Sequence, residues 1–241
     1  MSAASSTKNP LHGSHLDVLN GIKWNDLAAV RAATMPVLDY LARNMSSVIE
    51  AMHHVAETPS LMARCESDGF FDRVILYEDQ IKEYSIRLHF LVPSEYDRPH
   101  NHRATFAAKI LTGRYVHTTF ALPADIETRT GVPLTEKEVR SLSPVMVREE
   151  IPGCCYVMHH TGFHSTISTS DHASVLIRGP SAKDRLLFLD QRIGTATWMY
   201  GGQFEAAEPL AIKAMKTETL RKLTAFLDSI RSQIKHQFSG E

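Results

Sequence analysis

A long series of short segments with a period of two constrains the fold of this chain more than any other sequence feature. Residues that favour strands occupy positions 74–77, 84–92, 107–111, 115–120, 155–158, 173–177 and 186–189. Strand side chains alternate between two faces, so this pattern predicts β-strands. Turn residues separate the segments at Gly113, Pro152-Gly153 and Gly179-Pro180. Many short strands in series are typical of an antiparallel barrel or sandwich.

Helical patterns precede and follow the strands. Apolar residues recur at spacings of mostly three and four between Asp17 and Arg64, and again between Glu208 and Phe238. We therefore divide the chain into a disordered tail (1–12), an N-terminal helical segment (13–69), a barrel (70–205) and a C-terminal helix (206–241), all within one structural domain. The last helix can pack on the barrel or on a second subunit, so a homodimer is one of the expected assemblies.

Composition and charge argue against several classes of protein. Hydrophobic residues make up 43% of the 241 residues, which is enough for a sizeable core. The net charge of −1 favours neither nucleic acid nor an anionic membrane as a partner. The chain has no secretory signal pattern and no apolar run of about 18 residues. Its three cysteines lack the spacing of a disulfide framework, so we expect a cytoplasmic protein.

The most informative polar motif is the pair His100 and His102, which are separated by one residue. On a strand this spacing puts both rings on the same face, where they can share one metal ion. Neutral imidazole is a good ligand for zinc, copper, nickel and iron. The same spacing also occurs in pairs of surface or hydrogen-bonded histidines.

A third ligand is expected downstream, where the residues alone leave three candidates. His160 and His164 have the same strand parity, although Gly162 between them can interrupt a strand. His117 shares a strand face with Tyr115 and is expected to line the barrel.

The order of these features resembles the cupin superfamily: an H-x-H pair, a strand, the turn at Gly113, a second strand and a later histidine in Gly162-Phe-His164. Residues 103–108 lack the glutamate that usually follows H-x-H in cupins. In this respect the chain is similar to the cysteine dioxygenase-like branch, the thiol dioxygenases. The resemblance implies a mainly β fold, a cupin double-stranded β-helix (jelly-roll) barrel with N-terminal and C-terminal helices. It also implies that His100, His102 and His164 bind iron(II).

The resemblance further implies roles for residues around the metal. Arg73 stands about where that branch has an arginine that binds the substrate carboxylate, and Arg178 stands where it has a tyrosine. We therefore expect Arg73 and Arg178 to bind substrate. From the strand face that His117 and Tyr115 share, we expect His117 to bind substrate and Tyr115 to donate a hydrogen bond to substrate or bound oxygen, so Tyr115 and Arg178 are the expected catalytic residues. A simpler interpretation stays open for Arg87, Arg103, Arg114 and Arg178, as charges on the surface of strands.

Three imidazoles would leave the 2+ charge of the metal uncompensated, which favours an anionic ligand. We therefore expect a mononuclear non-haem iron(II) oxygenase, a dioxygenase that combines dioxygen with a small anionic, amino-acid-like or thiol substrate. Zinc, nickel and manganese suit the same ligands. Two alternatives stay open: an isomerase or lyase that uses the metal as a Lewis acid, and a non-enzymatic small-molecule-binding cupin.

Overall fold

The computed structural model describes residues 8–67, 71–121, 134–200 and 213–238. A short 3-10 helix at Ser14–Leu19 is followed by α1 (Leu27–Arg43), α2 (Met45–Glu57) and α3 (Pro59–Met62). Helix α4 (Glu136–Arg140) lies between strands, and α5 (Thr217–Phe238) follows them. None of the described helices is both long and apolar enough to cross a membrane.

Eleven strands lie between α3 and α5 in the described residues. They are β1 (Glu66–Ser67), β2 (Phe71–Asp79), β3 (Tyr84–Leu91), β4 (Phe106–Thr112), β5 (Tyr115–Ala121), β6 (Ser143–Glu150), β7 (Cys155–Met158), β8 (Phe163–Ser168), β9 (His172–Arg178), β10 (Arg185–Asp190) and β11 (Thr195–Tyr200).

The strands form two antiparallel sheets. The large sheet has the order β1-β2-β3-β9-β4-β7. The second sheet contains β6-β5-β8 and β10-β11, and His100 connects these two parts through bridges to His164 on β8 and Phe188 on β10. The order β3-β9-β4-β7 in one sheet, with His100-β8-β5-β6 in the other, is that of a double-sheet jelly roll. The predicted fold class, a mainly β jelly-roll barrel with helices at both ends, is therefore confirmed.

The two faces of the large sheet have different neighbours. Ile86, Leu88 and Phe90 on β3 are buried in one apolar cluster with residues of α1, α2 and α5. The rings of Phe90 and Phe226 are in contact at 6.4 Å between centroids, so α5 packs on its own chain. The opposite face carries a second cluster, in which Phe106, Leu176 and Tyr156 of the large sheet meet Tyr115 of the second sheet. This opposite face is the inside of the barrel.

The chain before the first helix is partly built into the fold. Leu11 is fully buried, and Asn9 Nδ2 donates a hydrogen bond of 2.8 Å to the carbonyl of Leu76. The prediction of a disordered tail as far as residue 12 is wrong for these two residues, because Leu11 belongs to the main hydrophobic core. Residues 1–7 lie outside the described part of the chain.

Candidate metal centre

The first two histidines lie on a short extended segment, residues 98–102, in the middle of the second sheet. The backbone N–H of His100 donates to the carbonyl of His164 at 2.8 Å, and the N–H of His164 donates to that of His100 at 2.9 Å. On the other side, the N–H of Leu189 donates to the carbonyl of Pro99 at 2.8 Å. Residues opposed in this way in an antiparallel pair project their side chains from the same face. His100 and His164 are therefore neighbours although they are distant in sequence.

His100, His102 and His164 form one cluster. Their potential ligand nitrogens lie within 4.8 Å of one another, and Nε2 of His102 is 2.7 Å from Nε2 of His164. Imidazole nitrogens bind zinc at about 2.1 Å, so two ligands on opposite sides of such an ion are about 4.2 Å apart. A small adjustment of the rings would thus bring all three nitrogens into coordination.

The other candidates for the third ligand lie outside this cluster. Nδ1 of His160 is 3.3 Å from the hydroxyl oxygen of Thr105, and the ring of His160 packs on that of His159. His117 is fully buried behind His164 and contacts it through a hydrogen bond. Among the described residues, the three-histidine cluster is the group of histidine, cysteine and acidic side chains with a spacing suited to one metal ion.

A chain of hydrogen bonds extends from His164 into the barrel wall. Nδ1 of His164 is 2.8 Å from Nε2 of His117, and Nδ1 of His117 is 3.0 Å from Oε1 of Glu150. Arg148 Nε donates to the same carboxylate oxygen at 2.5 Å. Burial alone would raise the pKa of Glu150, but the bond from His117 and the charge of Arg148 keep this pKa below its usual value. Glu150 is therefore an anion at neutral pH.

These hydrogen bonds determine which nitrogen of His164 is free to bind a metal ion. The ionised Glu150 accepts the Nδ1 proton of His117. In the neutral form of His117, Nε2 then accepts the Nδ1 proton of His164. The lone pair of His164 Nε2 is then directed at the cluster. Similarly, Nδ1 of His100 donates to the carbonyl of Arg98 at 2.8 Å, which leaves Nε2 of His100 as the ligand atom. Such outer hydrogen bonds commonly orient metal-binding histidines, so the donor set fits a divalent metal.

The protonation state of the rings also fits. Burial lowers the pKa of His102 well below its usual value, and the charges of His100, His89 and Arg178 lower it further. Burial, followed by the charges of His100 and His102, lowers the pKa of His164 in the same way. Both rings are consequently neutral at pH 7, which is the form that binds metal.

Tyr115 lies on β5 inside the barrel and is fully buried. Its hydroxyl is 2.9 Å from that of Tyr156, and burial raises the pKa of Tyr115 well above its usual value. Burial likewise raises the pKa of Tyr156 to about 12. Both phenols stay protonated at neutral pH. The hydroxyl of Tyr115 donates its proton to that of Tyr156. The hydroxyl proton of Tyr156 is then available for a hydrogen bond to a third group.

The two arginines predicted to bind substrate are on the inner face of the large sheet. Arg178 lies opposite Phe106 in the strand register, and it donates hydrogen bonds to the Gly179 carbonyl at 3.1 Å and the Ser181 hydroxyl at 2.7 Å. Burial, together with the charges of Arg103 and Arg73, lowers the pKa of Arg178 to about 10. Arg73 forms an ion pair with Glu66. Their contact with substrate stays a prediction.

Sequence reasoning missed Glu150 and Arg148, and it left a strand-surface position open for Arg87. Arg87 is in fact buried, because the polar face of β3 is directed into the barrel. The alternation of polar and apolar residues along β3 was the available signal, although it does not say which face meets solvent. No sequence signal marks Glu150, because its register opposite β5 depends on the long connection between β5 and β6.

The sequence matches no protein-family model and no curated protein. Solved structures similar to the chain include KdgF from Halomonas sp., at a TM-score of 0.34 and 13% identity over 48% of this chain and 86% of that one. An RmlC-like cupin from Shewanella frigidimarina matches at a TM-score of 0.34 and 12% identity, over 50% and 86% of the two chains. HEPD from Streptomyces albus, with 2-hydroxyethylphosphonate and Fe(II) bound, matches at a TM-score of 0.34 and 9% identity, over 48% of this chain and 22% of that one. The jelly-roll assignment itself follows from the strand order.

Proposed function

We propose that this chain is a mononuclear iron(II) oxygenase of the cupin type that acts on a small anionic substrate, with His100, His102 and His164 as the metal ligands. The observation that supports this most strongly is the convergence of three histidine side chains in one jelly-roll barrel. Two of the three are held in the ligand tautomer by hydrogen bonds to Arg98 and His117. The assignment to the thiol dioxygenase branch is part of the proposal.

The donor set supports iron(II), and it also suits zinc, nickel or manganese. Iron(II) held by the three histidines would supply redox chemistry toward dioxygen. With three protein ligands, coordination positions stay open for small molecules. The remaining steps belong to the chain itself: the Tyr115–Tyr156 pair offers one phenolic proton to a bound group. Phe106 and Leu176 line the interior with apolar surface.

The oxygenase proposal is tested on full-length protein purified without oxygen and analysed for metal. Dioxygen uptake is then followed with a panel of thiols and amino acids, and parallel reactions are run under strict anaerobiosis. We expect dioxygen to be consumed only when iron and an organic substrate are both present. Full turnover of a substrate without dioxygen would contradict the proposal and assign the site to Lewis-acid chemistry. Binding of panel compounds without turnover would also contradict it and favour a sensor.

A further inference from the structure

The inner face of β3 contains a buried cation without an acidic partner. Arg87 is only 9% exposed, and its Nε donates a hydrogen bond of 2.8 Å to the hydroxyl of Ser85. Within the described part of the chain, neither terminal nitrogen of the Arg87 guanidinium has a hydrogen-bond partner. The four N–H groups on these two nitrogens therefore find no acceptor in the described part of the chain.

Two further guanidiniums belong to the same face. Strand register places Arg178 opposite Ser85 and Arg73 opposite His89, so both lie diagonally across from Arg87. Diagonal neighbours in a sheet are about 7–8 Å apart, which is within reach of long side chains.

The acidic side chains nearby do not balance this charge. Glu66 pairs with Arg73, and Glu78, which lies opposite Ser85, pairs with Arg64. Among the described residues, Arg87 and Arg178 have no acidic partner. The positive charge of Arg87 and Arg178 is therefore uncompensated by the chain.

This charged surface adjoins the three histidines. Arg178 lies opposite Phe106, and the ring of Phe106 contacts that of His102 at 4.7 Å between centroids. The charge of Arg178 contributes to the lowered pKa of His102, as expected for two groups that face one interior. Strand register and ring contacts therefore connect Arg87 to the histidine cluster by way of Arg178 and Phe106.

A buried guanidinium without a counter-ion is costly. Desolvation of an unpaired ion costs several kcal/mol, and arginine cannot avoid this cost by losing its proton at neutral pH. Burial, and the charges of Arg73 and Arg178, lower the pKa of Arg87, which reflects the same penalty. The penalty is removed when an oxyanion binds, because the planar fork of the guanidinium matches the geometry of carboxylate and phosphate groups.

We propose that Arg87, assisted by Arg178, is a binding site for an oxyanion, and that it holds the carboxylate or phosphate-type group of the substrate while the rest of the molecule lies at the histidines. The second half of this proposal rests on the proposed function. Oxyanion binding itself does not require a metal, so the two can fail separately.

The test uses metal-free, full-length protein and follows thermal unfolding at constant ionic strength in chloride, malonate or phosphate. We expect malonate or phosphate to raise the Tm of the wild type, and the better of the two identifies the preferred group. Arg87→Met should weaken the apparent affinity for that anion by roughly 30-fold or more. In chloride alone, Arg87→Met should be at least as stable as the wild type, because an uncompensated buried charge has been removed.

Arg114→Met is the matched control, because Arg114 is an exposed arginine in the turn before β5, and it should keep the full anion response. If Arg87→Met does not fold, Arg87→Lys should fold and bind the anion less tightly, since lysine lacks the fork. Two results would overturn the proposal: no stabilisation of the wild type by either anion, or an equal response in the Arg87 variant that folds. Iron binding is measured in a separate experiment. Failure of the wild type to bind iron would count against the iron site alone and not against the oxyanion site.

Discussion

Glu150 is the residue whose role can be separated most clearly from simple packing. It holds the tautomer of His117, which in turn orients His164. Glu150→Gln keeps the size of the side chain but removes the anion that requires His117 to donate from Nδ1. Loss of such an outer hydrogen bond typically weakens metal binding 10- to 100-fold, and we expect a loss of about this size.

Competition with a chromophoric chelator measures this affinity, and circular dichroism checks the fold. The adjacent Glu149 is the matched control, because it is half exposed and forms a surface pair with Arg114. Glu149→Gln should bind metal as the wild type does. Unchanged metal affinity in Glu150→Gln would show that the hydrogen bonds from Glu150 through His117 do not orient His164 for metal binding.

At the scale of single elements, the turn between β4 and β5 depends on Gly113. Its φ is +74°, and a Cβ at this position would lie 2.2 Å from the carbonyl oxygen of Asp171. Gly21 has nearly the same φ, +73°, but a Cβ there would meet nothing within 4 Å. Gly21→Ala should therefore cost only the backbone strain of about 1 kcal/mol.

Gly113→Ala must bear the same strain and also displace the backbone before β9, so we expect a loss of about 2–4 kcal/mol in the free energy of unfolding. Urea denaturation of the two variants measures the difference. Equal losses would show that the close approach to Asp171 does not restrict this turn.

The strands show what a sequence can predict and what it cannot. The predicted segments 74–77, 84–92 and 115–120 overlap β2, β3 and β5. In the second and third of these segments, polar and apolar residues alternate because the two faces of a strand have different surroundings. Strand β6 was missed, since Val145, Met146 and Val147 form an exposed run that does not alternate. On β3 the alternation is clear, but its apolar face packs on helices and its polar face lines the barrel. Periodicity defines two faces and does not identify the one that meets solvent.

At the scale of the whole molecule, the proposed metal centre connects distant parts of the chain. His102 and His164 are 62 residues apart in sequence, and both belong to the second sheet or its connections. A metal that binds only the folded chain stabilises all of it, by about 4 kcal/mol when the free metal is 1,000 times its Kd. The H-x-H pair was predictable from local spacing, whereas His164 was preferred over His160 and His117 only through the resemblance to cupins. The hydrogen-bond chain behind them was not predictable, because it depends on strand register.

The metal content per chain of the wild type and two variants tests the three-histidine site itself. His164→Ala removes a proposed ligand, whereas His160→Ala removes a nearby histidine whose ring contacts Thr105 and His159. Each protein is stripped, reloaded with iron(II) without oxygen, dialysed and analysed. We expect one metal ion per chain in the wild type and in His160→Ala, and almost none in His164→Ala. Stoichiometric metal in His164→Ala would contradict the three-histidine site.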